Sequence, residues 1–225
     1  MKISIRKIGS TCETLIQFWP NAQCELIHYN SFQLLLAVML SAQTTDIQVN
    51  KALSEFYKKN QNFSPKDLIN LGETHFYSLI RSINYAPTKA KRAMQIAESL
   101  ETLHGGQVPN QREELEKLSG VGPKTASVVL NVAFGQECLA VDTHVERVTK
   151  RLGWVDSKMP TLKIENHLLG ILPQKRITQM HHVLIFHGRY LCTARAPKCD
   201  ECPVKSDCLF ESKNISKKAT GKVPN

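Results

Sequence analysis

Apolar residues recur along this chain at the spacing of a helix face, and no segment alternates as a half-buried strand must. Val49, Ala52, Leu53, Phe56 and Tyr57 fall at i, i+3, i+4, i+7 and i+8, the positions that share one helical face. Ala126, Val129, Leu130, Ala133 and Phe134 repeat the pattern. Ala93, Ile96, Ala97, Leu100 and Leu103 make a third stripe, and Gly105-Gly106 supplies its stop. Val145, Val148 and Leu152 mark a further helix with Gly153 behind it, and helix is also expected over 177–191. Asn110 with Glu113 three residues on has the form of a capping box, opening a short helix to Leu118. The segment ECLAV (137–141) is too short to build a sheet. An all-α fold without internal repeats is expected.

The length, 225 residues with 42% hydrophobic content, suits one large or two small domains and excludes global disorder. The longest apolar run, Leu34 to Leu40, is a buried-helix length and far short of a bilayer span, so no membrane partner is expected. The opening MKISIRKIGS is basic but has no apolar core followed by a cleavage site, so a secretory signal is not expected. A net charge of +9 points to a polyanionic partner, nucleic acid above all. The lysine-rich ending, ESKNISKKATGKVPN (211–225), is expected to be solvated, with a disordered tail from 213 to 225.

In LSGVGPKTA (118–126) a glycine-rich turn runs directly into an apolar helical stripe, which makes a helix–hairpin–helix over about 110–134. Gly120 and Gly122 permit a tight turn and close approach to a partner. Amides of the hairpin, with Val121 and Thr125 beside the glycines, form an anion site that a DNA phosphate suits and that reads no base. Lys124 is out of place there on stability grounds, because a helix start repels cations. Two roles remain open from the residues alone: a second phosphate contact, or an amine nucleophile whose ammonium form the site disfavours. Asp142, in AVDTH, is by default the N-cap of the next helix. A carboxylate near an amine nucleophile also stabilises a developing sugar cation.

Of seven cysteines, Cys192, Cys199, Cys202 and Cys208 are grouped with the spacing C-x6-C-x2-C-x5-C. Four thiolates in one short loop ligate zinc or a [4Fe-4S] cluster. Structural zinc favours two close pairs; one close pair within an uneven set suits the cluster. Arg189, Arg195, Lys198 and Lys205 make the same loop basic. Cys12, Cys24 and Cys138 are expected to be small buried hydrophobes.

Taken together, LLAVMLSAQTTD (35–46), LSGVGPKTASVVLNVAFG (118–135), AVDTH (140–144), HGRYLC (187–192) and the cysteine spacing resemble the endonuclease III family of DNA glycosylase/AP lyases, over about residues 25 to 210. The resemblance implies two helical lobes with DNA at the cleft between them: a six-helix barrel over 26–136, and a lobe of 1–25 plus 137–212 bearing the cluster. It implies a monomer acting on double-stranded DNA that carries oxidised pyrimidines or abasic sites, in the cytoplasm at a bacterial nucleoid. Lys124 matches the family's nucleophile and Asp142 its catalytic aspartate. The four grouped cysteines match the ligands of a [4Fe-4S] cluster. Gln43 matches the residue that fills the space of the extruded base, and His144 falls in the DNA-facing AVDTH motif. His181 and His182 face either DNA or the interface between lobes.

Two segments depart from the family pattern. Where members carry Gly-Leu-Tyr-x-x-Lys-Ala, this chain has INYAPTKA (83–90), placing Asn84 at the glycine and Tyr85 at the wedge leucine. Tyr85 either stacks on a base or packs in its loop. Pro123 stands where many members have a basic residue; proline suits a first helical turn. The adenine-glycosylase branch carries a catalytic glutamate where this chain has Ala37. A non-catalytic DNA-binding module is the remaining alternative.

Overall fold

A computed structural model describes residues 4–211 of the chain. The tail expected to be disordered, 213–225, lies outside them. The described residues hold eleven α-helices and no strand: α1 (Ile5–Phe18), α2 (Ser31–Leu40), α3 (Asp46–Lys59), α4 (Pro65–Leu71), α5 (Glu73–Ile80), α6 (Ala86–His104), α7 (Arg112–Glu116), α8 (Pro123–Phe134), α9 (Thr143–Leu152), α10 (Thr161–Ile171) and α11 (Ile177–Phe186). None is long and apolar enough to cross a membrane. Backbone contacts divide the chain into two units. One is Cys24–Ala140, and the other combines the segments before and after it.

The Cys24–Ala140 unit is built around α2. Every residue from Phe32 to Leu40 is buried, as a helix apolar on all sides must be. Its one polar member, Gln33, is fully satisfied: its amide donates to Asn60 O (2.9 Å) and Gln61 O (3.0 Å), and its oxygen accepts from Tyr29 N–H (2.8 Å). Those bonds remove most of the cost of burying an amide. The stripes of α3, α6 and α8 close on this helix, with Val49, Leu53, Tyr57, Ala93, Ile96, Ala97, Leu100, Ala126, Val129 and Leu130 all buried. The unit holds seven helices, α2 to α8, where the resemblance counted six; Gly72 at φ +80° separates α4 from α5.

Two local expectations are corrected. The Asn110–Glu113 capping box does not form. The short helix starts one residue later, with Gln111 at the cap position and no side-chain cap bond. It ends at Glu116 rather than Leu118. Gln136 Nε2 donates to the backbone carbonyl of Asn110 (2.7 Å), so a tertiary bond fixes the main chain just before the helix. Leu103 is 75% exposed, because α6 outruns the core in its last turn.

In the second unit α11 packs against α1 and α9. Helix continues past α11 as a π-helical turn, His187–Leu191. Gly188 is required there. A Cβ at this position would lie 2.7 Å from His144 Cβ and 3.1 Å from its Cα, so only glycine lets α9 and this turn approach. Cys12 is fully buried in α1, and Cys24 and Cys138 pack against the core of the other unit. His181 is buried and His182 partly so, their ring centroids 4.9 Å apart.

Candidate active site and metal centre

The hairpin joins α7 to α8. Gly120 turns the chain at φ +74°, where a side chain would also meet Arg92. Val121 is buried at 5% exposure and its N–H donates to Leu118 O (3.1 Å), so it anchors the turn and offers neither side chain nor amide to a partner. Ser119 Oγ donates to Gln95 Oε1 (2.7 Å), holding the hairpin to α6. Gly122 occupies the cap position of α8 in extended backbone, and no side chain caps this helix. Pro123, the first helical residue, has no N–H to satisfy. The helix therefore presents its first-turn amides at a bare positive end, with exposed Lys124 and half-buried Thr125 beside it.

In the other unit Asp142 caps α9. Its Oδ1 accepts from the N–H groups of His144 and Val145, both at 2.8 Å. The carboxylate is half-buried and held at a helix N-terminus. His144 Nδ1 lies 3.1 Å from Arg147 Nη2, which keeps the ring on the surface of α9.

Gln43 and Tyr85 are the only non-glycine residues with positive φ among those described, at +55° and +59°. Each such backbone costs about 1–2 kcal/mol, and strain of this kind gathers at functional positions. Both side chains are exposed, Tyr85 at 66%. Gln43 sits in the turn between α2 and α3, and Tyr85 directly precedes α6. Asn84 and Lys89 tie these turns together. Asn84 Nδ2 donates to Gln43 O (2.8 Å). Lys89, 4% exposed, donates from Nζ to Leu40 O (2.8 Å), Ala42 O (2.8 Å) and Thr44 Oγ1 (2.9 Å). Burial, and then the Arg92 guanidinium, hold its pKa below the usual lysine value.

Cys192, Cys199, Cys202 and Cys208 line a single cavity whose wall is otherwise largely apolar, with Leu191 and Pro197 in it. The four thiols surround a shared space, a donor set that fits the four irons of a [4Fe-4S] cluster. Two arginines of α9 hold the loop. Arg147 donates to Gly188 O (2.7 Å) and Cys192 O (3.0 Å). Arg151 donates to Thr193 O (2.8 Å), Ala194 O (2.9 Å) and the Cys192 sulfur (3.3 Å). Its carbonyl accepts from Leu209 N–H (3.1 Å) and the Cys208 thiol (3.2 Å). His187 contacts the Cys202 sulfur through Nε2 (3.8 Å), while its Nδ1 accepts from Trp19 Nε1–H (3.2 Å).

Sequence pattern does not reveal the contacts that Lys89, Arg147, Arg151, Trp19 and His187 make in these sites. Signals exist at two of them: Lys89 stands at the lysine of the family's second loop, and His187 opens the HGRYLC motif.

Residues 36–174 match the family model of the HhH-GPD superfamily base excision DNA repair protein, and residues 192–208 match the iron–sulfur binding domain of endonuclease III. An endonuclease III of Bacillus subtilis (strain 168) is 41% identical, over 96% of this chain and 97% of its own length. One of Rickettsia conorii is 46% identical, over 85% of this chain and 90% of its own. The solved structure of a trapped endonuclease III–DNA covalent intermediate, an estranged-adenine complex, matches with a TM-score of 0.84 at 41% identity, over 92% of this chain and 96% of that one. The two family models between them take in the hairpin, Asp142 and all four cavity cysteines. This chain belongs to the endonuclease III family of base-excision repair enzymes and carries that family's [4Fe-4S] cluster, its iron–sulfur binding domain spanning residues 192–208.

Proposed function

We infer that this glycosylase/AP lyase removes oxidised pyrimidines from duplex DNA and then cuts the abasic strand. In this reading Lys124 Nζ attacks C1′ of the damaged nucleotide. The glycosidic bond breaks and the base leaves with the bonding pair. Opening of the sugar gives a Schiff base. Loss of a C2′ proton expels the 3′ phosphate, and water releases the lysine. Asp142 bears the negative charge that stabilises the sugar cation and helps to move protons. The amides around Gly120, Gly122 and Thr125 hold phosphate, and His144 adds a DNA contact. Gln43 and Tyr85 take the space vacated in the stack. The enzyme works as a monomer on chromosomal DNA.

The observation that carries the reading is the trapped covalent DNA intermediate of a 41% identical protein, together with an exposed lysine on an uncapped helix start. The adenine-glycosylase alternative is disfavoured by Ala37, which is 1% exposed within α2 and offers no carboxylate. Borohydride trapping tests the proposal, on duplexes carrying thymine glycol or an abasic site. Wild type is expected to trap on both. Lys124→Ala is expected to trap on neither, while binding weakens by no more than about 1–3 kcal/mol, the scale of one charged contact. Trapping by Lys124→Ala at the wild-type rate would falsify the nucleophile assignment.

A further inference from the structure

The turn carrying Gln43 and the turn carrying Tyr85 are separate in sequence, yet the structure joins them through two side chains: Asn84, at the family's glycine position, and Lys89, at the lysine of the same loop pattern. Asn84 Nδ2 holds the carbonyl of Gln43 itself. Lys89 Nζ reaches from the first turn of α6 to three oxygens of the other segment, Leu40 O, Ala42 O and Thr44 Oγ1. Leu40 ends α2, so the ammonium sits where the carbonyl end of a helix attracts a cation. The backbone N–H of Lys89 also donates to Tyr85 O (3.0 Å), which closes the same turn from its other side. Both joined residues hold left-handed backbone, a conformation that persists only where surrounding bonds enforce it.

We propose that Asn84 and Lys89 are positioning residues that lock the Gln43 and Tyr85 turns into one preformed plug, which enters the DNA stack as a unit when the damaged base leaves. This rests on the reading of Gln43 and Tyr85 as base-replacing residues. A preformed plug loses little conformational freedom on insertion, so more of its contact energy serves to open the duplex. At the position where the family commonly has glycine, Asn84 adds a bond that glycine cannot make.

The test uses the cluster-loaded full chain and a duplex with 2-aminopurine opposite thymine glycol, whose fluorescence rises when that base unstacks. Asn84 is exposed, so Asn84→Ala is expected to keep the wild-type melting temperature. Its fluorescence rise should slow by about threefold to tenfold, the scale of one lost hydrogen bond. Base excision in duplex should slow in step. Borohydride trapping on a single-stranded abasic oligonucleotide, where no stack needs opening, should not change. Lys89→Met should show the same split more strongly. An unchanged fluorescence rise in Asn84→Ala, or equal losses on duplex and single strand, overturns the proposal. Gln43→Ala and Tyr85→Ala separate the two readings. If they suppress the rise while Asn84→Ala does not, the strap alone fails. If they leave the rise unchanged, the base-replacing role fails and the strap with it.

Discussion

Lysines that sit against a helix start are answered here in two opposite ways. Lys89 points inward, and three oxygens of a neighbouring turn satisfy its ammonium. Lys124 follows Pro123 on a helix start that no side chain caps, and remains exposed. One anomaly in sequence thus marks a buried strut and the exposed amine proposed as nucleophile, and only the surroundings distinguish them. Asp142 caps α9, and one substitution separates that cap from its proposed catalytic charge. Asparagine caps a helix about as well as aspartate, so Asp142→Asn should melt within a degree or two of wild type. Its Schiff-base trapping should fall by at least about tenfold, since the negative charge is lost. Asp142→Ala should lose both trapping and about 1 kcal/mol of stability. Thermal melts set beside trapping time courses read the two effects, and full trapping by the asparagine variant would reduce Asp142 to a cap.

Helices with wide apolar stripes and glycine stops are legible in the sequence alone: α3, α6, α8 and α9 lie where periodicity puts them. The short α4 and α5 are not, because a helix of about two turns shows too little of its period to be read, and α10 is not, because it buries only Ile164 and Leu168 and so shows no stripe. Asn110 shows the complementary failure: its side chain caps nothing, and a tertiary partner 26 residues away holds its backbone carbonyl instead. The cluster loop is legible as a ligand set and illegible as a mounting. Arg147 and Arg151 read as the charged face of a surface helix, and nothing local says that they reach residues more than 40 positions downstream. Gly188 tests that mounting. Alanine there puts a methyl 2.7 Å from His144 Cβ, with backbone at 3.1 Å. Gly188→Ala should lose about 1–3 kcal/mol, the usual cost of overpacking. Because the clash falls two residues from Asp142, trapping should fall as well. A variant with wild-type melting temperature and activity would show that α9 and the π-helical turn are free to part.

At the scale of the whole chain, charge and burial set the response to solution conditions. A net charge of +9 means that binding to undamaged duplex releases counterions, so affinity should fall steeply and log-linearly with salt. Fluorescence anisotropy across a salt series measures the slope, and a flat profile would argue against a basic DNA face. Acid acts through buried histidine. Burial lowers the pKa of His182 to about 4, against about 6.5 in an unfolded chain. Between these values the unfolded state binds a proton that the folded state refuses. His182 stabilisation is therefore complete above about pH 6.5 and is lost as the pH falls toward 4. His187 shifts in the same direction, also to about 4, so His182→Gln should flatten the loss of melting temperature over that window without abolishing it. An unchanged slope would mean that His182 is hydrated in the folded chain.

Helix α9 has one further consequence. It is a single rod of ten residues, about 15 Å at 1.5 Å per residue. One end holds Asp142, and the last turn, through Arg151, grips both flanks of the cysteine loop. If Asp142 serves the chemistry as proposed, the cysteine loop and the carboxylate are mechanically in series: whatever loosens the loop at one end of the rod is expected to disturb the aim of the carboxylate at the other. A copy whose loop has lost its hold is then expected to cut few strands, the safer fault for an enzyme whose product is a break in the genome.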